Sequence, residues 1–157
     1  MNETPAPLAP KRVEAFVAKA HGDLEAVREL LEEEPALVNA SWDWGGGDWE
    51  TGLGAAAHMG RRQIALLLLD HGARLDLFAA AMLGCFDIVS ATLANFPELR
   101  DAKGPHGIPL VEHARVGGAD ARAVLELLES TQVASGVGST EPPESGAPPL
   151  LVRKRER

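Results

Sequence analysis

The sequence predicts an all-α protein in which about four helix–turn–helix units stack side by side, and three observations support this. Turn glycines recur at Gly22, Gly60, Gly84 and Gly117, each after small residues such as Ala18, Ala56-Ala57, Ala80-Ala81 and Ala114. Leucines follow in a common register. Leu30 and Leu31 stand eight and nine residues past Gly22, Leu68 and Leu69 past Gly60, and Thr92 and Leu93 past Gly84; Leu127 and Leu128 fit the fourth unit if its turn is two residues longer. Finally, Ile64 to Leu69 is apolar on nearly every side. Such a helix needs cover on more than one face, which a lone short pair lacks and a stack provides.

Taken in order, residues 1 to 11 hold three prolines and little to bury, and read as a flexible lead-in. Val13 to His21 forms the first helix. Asp23 starts the second, where Leu24, Val27, Leu30 and Leu31 share one face. The run Glu32-Glu33-Glu34 beyond it reads as a solvated acidic end. Thr51 caps a helix of small apolar residues that Met59-Gly60 closes, and the next helix stops at Gly72. Asp76 caps the segment Leu77-Phe78-Ala79-Ala80-Ala81 directly. From Ser130 the composition turns to Gly, Ser, Pro, Thr and Glu, which does not support ordering. The folded domain is therefore expected over residues 12–130, with residues 131–157 a disordered tail ending in Arg153-Lys154-Arg155-Glu156-Arg157.

The units resemble the ankyrin repeat, whose motif reads T-P-L-H-x-A-A-x-x-G followed by a second helix ending in L-L-x-x-G-A. Thr51-Gly52-Leu53-Gly54-Ala55-Ala56-Ala57-His58-Met59-Gly60 and Ile108-Pro109-Leu110-Val111-Glu112-His113-Ala114-Arg115-Val116-Gly117 carry the resemblance most clearly, and Leu68-Leu69-Asp70-His71-Gly72-Ala73 completes one copy. It covers roughly residues 12 to 129. The resemblance implies a solenoid with finger loops between units and a concave helix face that binds a protein or peptide. Gly52 and Gly54 depart from the motif's Pro and His, and a helix-interior glycine costs about 1 kcal/mol relative to alanine. That unit is expected to fray at its start.

The loops between units carry the unusual chemistry. Ala40 to Glu50, ASWDWGGGDWE, gathers all three tryptophans and two aspartates around three glycines. Gly22 and Gly60 are 38 residues apart against a repeat period near 33, so this finger is enlarged. Trp42, Trp44 and Trp49 have the area and the N–H donors of binding anchors, and equally of a cover over the end of a stack. Gly60 and Gly84 are only 24 residues apart, so one finger is missing and a cleft is expected there. The next finger, Asp101 to Ile108, holds the turn Gly104-Pro105-His106-Gly107 that presents His106. Residues just before the turn glycines face the concave side in ankyrin-like stacks. Met59, Met82, Leu83 and Val116 would form an apolar strip there, flanked by His58 and Arg115.

Charge and missing motifs narrow the function. The chain carries −8, leaving about −9 on the repeat domain once the tails are set aside. No basic face offers itself to phosphate, so nucleic acid is not expected and a basic protein or peptide is. No apolar run has the length of a signal peptide or a membrane span, so a cytoplasmic location without membrane insertion is expected. The single Cys85 excludes an internal disulfide and reads as a packing residue. Metalloprotease, P-loop, serine-hydrolase and C-x-x-C signatures are absent. Asp43, Asp48, His58, His106 and His113 are the groups able to converge on a metal or an acid–base site at the cleft, but their spacing does not require it. The reading therefore assigns no catalytic group, metal or cofactor. It expects a monomeric interaction module contacting its partner through Trp42, Trp44, Asp48, Trp49, His58, Met59, Met82, Leu83, His106 and Arg115. The alternative is a small-ligand binder or enzyme using the Asp and His groups of the cleft.

Overall fold

Helix caps set the frame. In a computed structural model, which describes residues 4–130, the side chains of Asp23, Thr51 and Asp76 accept the backbone N–H groups of Ala26, Gly54 and Ala79. Each bond satisfies a donor left open at a helix start, so three helices begin where the sequence places a cap. The helices are α1 (Pro10–Lys19), α2 (Leu24–Glu33), α3 (Gly52–His58), α4 (Arg62–Asp70), α5 (Leu77–Leu83), α6 (Phe86–Asn95), α7 (Leu110–Val116) and α8 (Arg122–Ser130). The first starts at Pro10, inside the segment expected to be a flexible lead-in. Proline suits the opening position of a helix, and Val13, Phe16 and Val17 bury the face that follows. The expected disordered tail, residues 131–157, lies outside the described residues.

Consecutive helices pair, and the first helices of the pairs pack in series: α1 on α3, α3 on α5, α5 on α7. The second helices α2 and α4 also meet, as do α6 and α8. Two apolar clusters result. One runs from Val13 and Phe16 through Leu53, Ile64 and Leu68 to Met82; the other joins Ala80, Val89, Leu110, Val124 and Leu128. Leu68 is fully buried. Leu68→Ala is therefore expected to lower unfolding free energy by about 2–5 kcal/mol in chemical denaturation.

Three expectations are corrected. The segment from Ala40 to Glu50 is not a bare loop. It forms a two-stranded antiparallel hairpin, β1 (Ser41–Asp43) and β2 (Trp49–Thr51), with Trp42 opposite Glu50 and Asp43 opposite Trp49. At its tip Gly45, Gly46 and Gly47 all adopt positive φ, and the Asp43 carboxylate accepts the N–H groups of Gly45 and Gly47, which fixes the turn. Met82 and Leu83 do not form part of an exposed strip, since α5 lies between α3 and α7 and buries both; Met59 and Val116 stay exposed. The departure at Gly52 is also a packing feature, because a Cβ there would stand 2.8 Å from the Phe16 ring. Alanine would force the buried Phe16 ring to shift.

Candidate metal centre

The alternation of strand β2 sends successive side chains to opposite sides. Trp49 is 61% exposed, whereas Glu50 beside it is 1% exposed. A carboxylate this deeply buried needs partners. It finds them in three imidazoles brought from separate parts of the chain: His21 from the turn between α1 and α2, His58 from the end of α3, and His106 from the second finger.

The three Nε2 atoms converge on the carboxylate. His58 Nε2 lies 2.9 Å and His106 Nε2 3.4 Å from Glu50 Oε1, and His21 Nε2 lies 3.4 Å from Oε2. One ligand atom from each of the four residues falls within 4.8 Å of all the others. A tetrahedral ion with bonds of 2.0–2.1 Å has ligand–ligand edges of about 3.4 Å, which the three imidazole-to-carboxylate distances approach. Glu50 Oε1 and His58 Nε2 are both buried and neither makes an aligned hydrogen bond, despite their short separation. Two buried polar atoms this close without an aligned hydrogen bond are what an ion would bridge.

Surrounding groups set two of the three imidazoles in the ligating tautomer. His21 Nδ1 donates to the carbonyls of Val17 and Ala18, each at 3.1 Å, so its Nε2 carries the lone pair. His106 Nδ1 donates to Asp48 Oδ2 at 2.7 Å, while the Asp48 Oδ1 accepts the His106 backbone N–H at 2.8 Å. This second bond helps hold His106 at φ 59°, an uncommon conformation for a residue with a side chain. The His106 backbone N–H draws the Asp48 carboxyl below its usual range, with the ring adding to this against partial desolvation. Ring partners of this kind are the usual supports of metal-binding histidines.

Trp44 closes the site from outside. Its indole N–H donates to Glu50 Oε2 at 2.7 Å, and its ring centroid lies 6.1 Å from that of His21 and 6.4 Å from that of His106. Burial pushes the Glu50 carboxyl up, but the His58 approach and the indole N–H outweigh it and hold the group below the usual range. It is ionised at neutral pH, as a ligand must be.

Of the residues expected at the site, Asp48, His58, His106 and Trp44 come together here. The other expected partner contacts are dispersed. Trp42 packs against the core, Arg115 pairs with Glu112 and Glu129, and Met82 and Leu83 are buried. Asp43 belongs to the hairpin turn, not to the cluster. A cleft of about 400 Å³ does lie between the two fingers, lined by Asp48, Trp49, Phe78, Lys103 and Gly104, but none of the four converging residues lines it. Sequence reasoning missed His21 and Glu50 as ligands. A signal existed for the first: His21 follows α1 and His58 ends α3, one and two residues before the turn glycines, and packing of α1 on α3 sets their rings 5.0 Å apart. No comparable signal marked Glu50.

His113 stands apart from the cluster. It is fully buried against Phe78, and its Nδ1 donates to the Pro109 carbonyl. Burial pushes its pKa down, against the pull of that carbonyl. The folded imidazole thus resists a proton that the unfolded one accepts near pH 6.5. Stability is expected to fall as pH drops below about 6.5, and a His113→Phe variant to lose less between about pH 7 and pH 5 in denaturation curves.

No protein-family model, curated protein or solved structure matches this chain.

Proposed function

We propose that this chain is a metal-binding helical interaction module, in which His21, Glu50, His58 and His106 hold one divalent transition ion and the ion fixes two finger loops for a protein or peptide partner. The observation that carries the reading is the convergence of three Nε2 atoms on a buried carboxylate whose Oε1 makes no aligned hydrogen bond. Three nitrogens and one oxygen suit Zn²⁺ and similar ions better than the all-oxygen preference of Mg²⁺ or Ca²⁺. Four protein ligands also fill a tetrahedral ion, as structural sites do, which supports a binding role without catalysis.

The ligands span the α1–α2 turn, the hairpin, α3 and the second finger, so an ion there ties four segments together. Trp49 sits between the Asp48 and Glu50 positions and points outward, an aromatic anchor whose placement the ion would fix. Met59, at the end of α3, adds an exposed apolar contact. The ankyrin-like arrangement of the units is part of the same proposal, supported by the serial packing of α1, α3, α5 and α7. The acidic balance of the chain favours a basic partner. No helix among the described residues is long and apolar enough to cross a membrane.

The test is capture from cell extract by the immobilised chain, run with Zn²⁺, with a chelator, and with a Trp49→Ala variant in Zn²⁺. A protein retained only by the Zn²⁺-loaded wild type supports the reading. Capture that ignores both the metal and Trp49 would refute it.

A further inference from the structure

We infer that Trp44 determines which ions the centre accepts, by engaging one carboxylate oxygen of Glu50 so that only the other is offered to the metal. The inference rests on the metal reading above and concerns the same site.

A carboxylate binds a metal through one oxygen or through both, and the choice sets the coordination number. Bidentate binding adds a ligand and favours ions that take five or more, whereas a single oxygen beside three imidazoles gives the four-coordinate geometry of Zn²⁺. In this chain the two oxygens of Glu50 are not equivalent. Oε2 accepts the Trp44 indole N–H at 2.7 Å, and Oε1 makes no aligned hydrogen bond. His58 and His106 both face Oε1. His21 is the exception: its Nε2 lies 3.4 Å from Oε2, on the oxygen that the indole engages.

Trp44 is itself held in place. Its backbone N–H donates to the Asp48 carbonyl across the hairpin, and its ring meets the edge of His21 and leans over His106. It remains 38% exposed. The indole therefore restricts coordination through its N–H, which takes Oε2. Trp44→Phe keeps most of the ring and removes the donor.

Co²⁺ reads the coordination directly, since four-coordinate Co²⁺ absorbs strongly in the visible and five- or six-coordinate Co²⁺ weakly. The wild-type chain loaded with Co²⁺ is expected to show the strong bands. Trp44→Phe is expected to show them severalfold weaker, and to shift the ratio of Mn²⁺ to Zn²⁺ affinity by about 10-fold toward Mn²⁺, in line with changes to groups that hold a metal ligand from behind. An unchanged spectrum and an unchanged affinity ratio would overturn the role of Trp44 while leaving the metal centre standing. Weak bands in the wild type would do the same. Failure of the wild type to bind Co²⁺ or Zn²⁺ at all would remove both readings. Should the variant not fold, X-ray absorption of the Zn²⁺-loaded wild type decides: four N/O neighbours near 2.0–2.1 Å support the inference, and five or more contradict it.

Discussion

Glu50→Gln is expected to lower the affinity of the chain for Zn²⁺ by about 100-fold or more while leaving its helix content intact. The size follows from what is removed. Changing a residue that merely supports a ligand weakens metal binding about 10–100-fold, and Glu50 contributes both a ligand atom and the only negative charge among the four converging groups. The amide is nearly the same shape, so the pairing of β1 with β2 and the burial beneath it are kept. Its oxygen can still accept from the Trp44 indole, but its nitrogen would face the imidazole lone pairs as a donor. A competition titration with a chromogenic chelator measures the change, and circular dichroism checks the helices. Wild-type affinity in Glu50→Gln would mean that the histidines alone make the site, or that no site exists.

Gly84→Ala is expected to destabilise the chain by about 2–5 kcal/mol. Gly84 closes α5 in the left-handed conformation, at φ 77°, where a residue with a side chain is strained by about 1–2 kcal/mol. Its space is also taken. A Cβ would stand 2.0 Å from the backbone carbonyl oxygen of Asp120, in the turn before α8, and backbone moves only with its helix pair. Overpacking of that kind adds about 1–3 kcal/mol. Met82 O faces Gly117 from the same end of α5 at a similarly short distance from a Cβ, so the two contacts act as one seam between the third and fourth pairs. Chemical denaturation of Gly84→Ala gives the change; an unaltered midpoint would show that the pairs are not seated as closely as described.

These two residues mark what the sequence could and could not convey. Gly84 was legible because a turn glycine obeys local rules, as do the caps at Asp23, Thr51 and Asp76 and the apolar faces around Leu31 and Leu68. Gly52 was misread for the opposite reason: its propensity is local, but its function is to admit Phe16 from another helix. Met82 and Leu83 were misplaced because their burial depends on both neighbours of α5. The candidate metal centre was half visible. His58, His106 and Asp48 stood out as polar groups in an apolar or glycine-rich setting, yet their partner Glu50 looked like one acid among 23. Only the strand alternation of β2, which turns Glu50 inward as Trp49 turns outward, singles it out, and a three-residue strand is too short to be read from pattern alone.

The central claim is that His21, Glu50, His58 and His106 form one site for one ion. Equilibrium dialysis of the chelator-stripped chain against Zn²⁺, followed by elemental analysis of bound metal per chain, tests it most directly when His21→Ala, His58→Ala and His106→Ala are dialysed alongside. The account expects one Zn²⁺ per wild-type chain, with a large loss in each variant. A wild type that retains no ion, or variants that retain as much as the wild type, would contradict it.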